Sequence, residues 1–174
     1  MTVVQPSPTF VFERHLYPLV FDAAHESLTY LLPKIGDPDR RGGFLCLLSL
    51  DIPHAPILTA VIGSVPCGKA AKYFELCQEK AGRLSCHSEH LSSWQSRAEP
   101  RLPMVSTGDK LGKWGGAIRC GAHRLILSFS GLPELADAAL CLNVAIRRGW
   151  LDVVKAYEIS RISSNPFAFA DVAV

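Results

Sequence analysis

The chain has 174 residues, 48% hydrophobic and 20% charged, with a formal net charge of +2 at pH 7. This is globular composition with enough chain for one real core; it is too apolar for disorder, and no apolar run approaches the roughly 20 residues of a spanning helix. Near-neutral charge with scattered basic residues leaves no electrostatic footprint for nucleic acid.

Residues 1–21, with Pro6, Pro8 and Pro18 among aromatic and apolar residues, read as an irregular N-terminal segment without the basic start of a secretory signal. From Asp22, DAAHESLTYLLPK predicts a short helix with Asp22 as N-cap, Leu28, Leu31 and Leu32 facing inward, and a stop at Pro33. KIGDPDRRGG is a turn-rich connection. Residues 44–51 and 57–63 are short apolar runs separated by IPHAP, whose prolines exclude one continuous strand and predict an antiparallel pair.

Residues 69–84 have the period of an amphipathic helix. Ala70, Tyr73, Phe74, Cys77, Ala81 and Leu84 form the inner face, and Lys69, Lys72, Glu75, Glu79, Lys80 and Arg83 the outer one. The polar stretch that follows is long for a plain loop, so it should hold a short helix or edge strand and line a site. GGAIRC-GA-HRLILSFSG predicts a hairpin with a type II′ turn at Gly121-Ala122.

LPELADAALCLNVAIRRG predicts a helix with Pro133, Glu134 and Asp137 at its start, Arg147 and Arg148 at its end, and Gly149 as cap. Its body is apolar on more than one side, which suggests burial by a sheet on one flank and by another subunit on the other. Residues 151–162 read as one more short helix and 163–174 as a loose tail. The order α-β-β-α-β-β-α, with hairpins rather than crossovers, predicts a single α+β domain over residues 22–162.

Several motifs bear on chemistry. Gly63, Gly68 and Lys69 spell Gly-x-x-x-x-Gly-Lys, but Ala70 stands where a phosphate loop needs the Mg²⁺-holding hydroxyl, and the neighbouring strands read as antiparallel. A glycine- and proline-containing turn before a helix explains the spelling better. Six cysteines without a C-x-x-C pair read as reduced thiols of a cytoplasmic protein. Cys67, just ahead of a helix start and near Lys69, has surroundings that favour a thiolate, against the plainer reading of a half-buried structural thiol.

CHSEH places Cys86, His87, Glu89 and His90 together. No second ligand pair exists for structural zinc, but His87 and His90 can share a helix face and hold one metal or a haem iron, competing with a merely polar helix end. Trp94 and Trp114 flank the polar stretch, more naturally as packing anchors than as ligand platforms.

Residues 115–140, GGAIRCGAHRLILSFSGLPELADAAL, resemble the GlcG/HbpS-like family of small α+β proteins, which includes a haem-degrading-domain-like branch. The resemblance rests on Gly115-Gly116, Ile118-Arg119, Ser130-Gly131, Leu132-Pro133, Asp137 and Ala138, and extends more loosely over residues 44–149. It implies a profilin-like central antiparallel sheet with helices on its faces, assembly into homo-oligomers, and haem or a related tetrapyrrole as candidate ligand. The expected function is therefore a cytoplasmic, oligomeric small-ligand-binding protein acting without turnover. Its candidate site combines Cys86, His87, His90, Trp114, Gly115, Gly116 and Arg119, with His87 or His90 on a haem iron and Arg119 pairing a carboxylate. A structural or interaction protein without a ligand, and a thiol-dependent enzyme using Cys67 or Cys86, are the alternatives.

Overall fold

The computed structural model describes residues 15–52, 56–96 and 115–168. The described chain runs α1 (Leu16–Ile35), β1 (Gly42–Ser49), β2 (Pro56–Gly63), α2 (Cys67–Ser85), α3 (Ser93–Ser96), β3 (Ala117–Cys120), β4 (Leu125–Ser130), α4 (Glu134–Arg147) and α5 (Val153–Ile162). This is an α+β architecture with one antiparallel sheet in the order β2-β1-β4-β3. β1 lies against β2 from Gly42↔Gly63 to Leu48↔Pro56, and against β4 from Phe44↔Ser130 to Ser49↔Leu125.

The central strands are covered on both faces, which explains why β1 reads as an unbroken apolar run rather than an alternating one. On one face Cys46, Leu48, Ala117 and Ile126 pack against Cys77, Ala81 and Leu84 of α2. On the other, Leu45, Leu47, Ile118, Leu127 and Phe129 join Leu140, Val144 and the α1 residues Ala24, Leu28 and Leu31. Each such fully buried Leu, Ile or Phe side chain contributes about 1.5–3 kcal/mol. Among the described residues no helix is long and apolar enough to cross a membrane.

Four sequence expectations need correction. α1 begins at Leu16, so Asp22 lies inside it and caps nothing. Pro18 sits in the first turn, where its missing N–H has no helical acceptor to lose, and Pro33 in the last, two residues before the helix ends. Gly36, at φ 66°, closes that end with its N–H on the Leu32 carbonyl.

Lys80 and Arg83, expected on the solvent face of α2, are buried. The hairpin tip is a 3₁₀ turn, Gly121–His123, and the left-handed residue is Arg124 at φ 51°, not Gly121. Arg124 is held there by its backbone, whose carbonyl accepts from Leu50, and by its side chain on Asp51 at 2.5 Å. Finally, α4 is buried within the chain: β3 and β4 cover one flank, α1 and α5 the others. The second apolar side that suggested a partner subunit has its cover in this chain.

Candidate functional site

Among the described residues, a buried ion pair links α2 to the start of α4. Lys80 and Asp137 are each about 2% exposed. The Lys80 ammonium donates to Asp137 Oδ2 at 2.9 Å and to the Phe129 carbonyl at 3.1 Å. The other carboxylate oxygen, Oδ1, accepts from the Leu132 N–H at 2.8 Å. Burial pushes the Asp137 carboxyl up to about 6, overcoming the opposing pull of the Lys80 charge and of the hydrogen bonds from Lys80 and Leu132.

Gly116 makes the pair possible. Its φ is 117°, and a Cβ there would stand 2.7 Å from Asp137 Cβ and 2.9 Å from Lys80 Nζ, in space those side chains fill. Gly115 lies beside Glu134, whose carboxylate accepts its N–H at 3.4 Å.

The pair forms part of the wall of a cleft of about 580 Å³, within the usual range for small-ligand sites. Lys69, Lys72, Tyr73, Leu76 and Lys80 reach it from α2 because steps of three, four and seven residues return to one helix face. Arg40, Glu134 and the turn before α4 complete it. Arg40 is fixed by its guanidinium, which donates to the Gly131 carbonyl at 3.0 Å and the Tyr73 hydroxyl at 3.2 Å. Four cationic side chains thus face two carboxylates around the cleft, which favours an anionic occupant.

The histidine turn forms a second arrangement, past the C-terminus of α2. The His87 and His90 rings stack with centroids 4.7 Å apart and planes 19° from parallel. His87 Nδ1 and His90 Nε2 lie 3.5 and 3.7 Å from Glu89 Oε1. His90 Nδ1 is hydrogen-bonded to Ser96 Oγ at 2.9 Å.

Arg119, about 7% exposed, holds this turn from beneath. Its guanidinium donates to the carbonyls of Leu84, His87 (2.7 Å) and His90 (2.9 Å), and its backbone N–H donates to Leu91. Burial lowers its pKa from the ordinary arginine value, while the Glu89 charge opposes that shift. Arg119 was expected to pair a ligand carboxylate; its guanidinium here lies on backbone carbonyls of the histidine turn.

The residues expected to form one site therefore fall into two groups. Cys86, His87, His90 and Arg119 belong to the turn, while Gly115 and Gly116 pack against Glu134 and the Lys80–Asp137 pair without lining the cleft; Trp114 lies outside the described residues. Lys80, Asp137 and Arg40 were not among the expected site residues, whereas Glu89 was grouped with the histidines in CHSEH but not carried into the candidate site. Lys80 had a signal, since it falls within the stripe of Tyr73, Leu76, Cys77 and Leu84.

The donor set at the turn does not fit a haem iron well. The available nitrogens converge on the charged Glu89 carboxylate, which makes the surroundings polar where a porphyrin face favours apolar contact. Neither the cleft nor a shallower depression of about 410 Å³ around Asp37 and Arg41 borders the histidines.

All six cysteines are free; Cys67 and Cys86 are exposed and the other four are buried. Among the described residues neither exposed thiol hydrogen-bonds to a histidine, so the pairing that would activate a nucleophile is missing there. Comparison with family models, with curated proteins and with solved structures gave no match.

Proposed function

We propose that this chain is a small-ligand-binding protein with a GlcG/HbpS-like, profilin-like fold, and that its ligand is a small organic anion held in the cleft above Lys80 and Asp137. One observation carries this reading: a buried lysine–aspartate pair at the wall of a 580 Å³ cleft that also gathers Arg40, Lys69 and Lys72. The pair is largely self-neutralising, so it shapes and stiffens the cleft, while Arg40, Lys69 and Lys72 add further positive charge to its lining. Tyr73 and Leu76 give the ligand's carbon skeleton an apolar wall.

The reading is binding without turnover, with the Lys80 amine held on the Asp137 carboxylate as part of the cleft wall. Homo-oligomerisation belongs to the same proposal; Val153, Val154 and Tyr157, exposed along α5, are the surface that supports it now that α4 is covered. Light scattering after size exclusion reads the assembly directly.

Thermal melts of the full chain with citrate, with short dicarboxylates and with inorganic phosphate test the ligand class. A bound anion at 100 times its Kd stabilises the fold by about 2.7 kcal/mol, several degrees in Tm. The double variant Lys69→Ala/Lys72→Ala should melt like wild type without anion and lose most of the shift. No anion-dependent shift in the wild type, or an equal shift in the variant, overturns the proposal. A saturable Soret shift with haemin, lost in His90→Ala but not in Lys69→Ala/Lys72→Ala, would move the ligand to the histidine turn.

A further inference from the structure

The histidine turn is more organised than a polar helix end requires. Three potential ligand atoms, one each from His87, Glu89 and His90, all lie within 4.8 Å of one another. Two ligands bound at about 2.1 Å to a tetrahedral ion stand roughly 3.4 Å apart. The separations of Glu89 Oε1 from the two histidine nitrogens, 3.5 and 3.7 Å, are close to that value.

The surroundings match what a metal-binding histidine needs. Ser96, about 1% exposed, takes His90 Nδ1 at 2.9 Å, which leaves Nε2 as the ring's outward donor and fixes the ring's orientation. His87 Nε2 is buried and has no hydrogen-bond partner, so Nδ1, the nitrogen facing Glu89, is the one left to do chemistry on that ring. The backbone carrying both rings is tied at Leu84, His87 and His90 to one buried guanidinium. Parallel rings 4.7 Å apart, anchored in this way, hold two imidazoles side by side with little conformational freedom left to lose on binding.

We infer that His87, Glu89 and His90 form a site for a first-row transition dication of the Zn²⁺ type, with two imidazoles and one carboxylate as protein ligands and at least one coordination position open. Imidazole donors select this class over Mg²⁺ and Ca²⁺, which prefer all-oxygen sets. None of the three residues lines the anion cleft, whose nearest α2 residue, Lys80, stands five residues before the end of that helix. Lys69 lies 16 residues before the end of α2 at Ser85, about 24 Å along the helix axis, and the turn lies beyond that end. Glu89 remains exposed, so an ion can enter without the core opening.

The test is calorimetric titration of Zn²⁺ into the untagged full chain, stripped with EDTA and kept under reductant. One Zn²⁺ per chain is expected. His87→Ala and His90→Ala should each weaken binding by about 100-fold, and Ser96→Ala by about 10-fold through ring orientation. Glu89→Gln changes an exposed side chain, so its loss of affinity, about 10-fold or more, cannot be assigned to misfolding. Co²⁺ in place of Zn²⁺ should give the intense visible bands of a low-coordinate site in the wild type, weakened in Glu89→Gln.

Cys86→Ser should bind as the wild type does. Absence of saturable Zn²⁺ binding overturns the inference, as does unchanged affinity in Glu89→Gln or in His90→Ala. Loss of binding in Cys86→Ser with retention in His90→Ala overturns it too, by making the ion a thiol ligand.

Discussion

Lys80 and Arg119 are both buried cations, and the fold treats them in opposite ways. Lys80 meets a full carboxylate charge, so the pair is nearly neutral and a ligand cleft can open beside it. Arg119 meets three backbone carbonyls, so its charge stays and its geometry is used up in holding a turn. A buried cation answered by a charge lines a cavity, while one answered by carbonyls becomes a clamp. This explains why one is adjacent to a proposed ligand and the other acts through the residues it fixes.

The contrast is broken most severely at Asp137. Asp137→Ala strands an ammonium in the core and should lower stability by about 3–5 kcal/mol in urea unfolding. Replacing both partners, Lys80→Met with Asp137→Leu, should recover most of that, leaving about 1–3 kcal/mol for the orphaned Leu132 N–H and Phe129 carbonyl. A double variant as unstable as the single one would mean the loss comes from packing rather than from charge.

At the clamp the effect should be smaller. Arg119→Lys keeps the charge but not the planar fork, and one ammonium cannot reach three carbonyls in that arrangement. The expected loss is about 1–2 kcal/mol, with weaker Zn²⁺ binding and unchanged anion binding in the cleft. If anion binding fell as much as Zn²⁺ binding, the two regions would not be separable.

Acidity gives the finest distinction. The Asp137 carboxyl has a pKa near 6 in the fold against 3.8 when exposed. Between those values the folded chain keeps a proton that the unfolded chain has released. The stability contributed by this group is therefore full below 3.8 and is lost as pH rises through 6, opposite to a carboxylate held ionised by its partner. The wild type minus the Lys80→Met/Asp137→Leu variant, compared by urea midpoint at pH 7.5 and 4.5, isolates the effect. A difference that grows with pH would reverse the assignment.

Much of the architecture was legible in the sequence because it is written in local patterns. The apolar runs of β1 and β2 and the end signals of α4 correspond to observed elements, as does the hairpin of β3 and β4. The polar stretch after α2 does contain a short helix, Ser93–Ser96, and its Ser92 bridges to Ile118 at the sheet edge. His87 and His90 could be picked out by their three-residue spacing.

The remaining features depend on partners far away in the chain. Lys80 looked solvated because its charge suggested water, whereas its counterion stands 57 residues later. Arg119 looked like a ligand-pairing arginine because backbone carbonyls leave no trace in residue types. Pro18 looked like a breaker because proline is neutral only within the first helical turn, and the position of that turn was not encoded nearby.

The strand order also governs how the chain is made. β1 and β4 are sheet neighbours, yet 86 residues separate the paired Phe44 and Ser130. At about 5–20 residues per second, a ribosome leaves the inner edge of β1 without its native neighbour for roughly 4–17 s. During synthesis that edge is half of an apolar hairpin open to strand exchange, and the nascent chain depends on β4 arriving before another copy of β1 does.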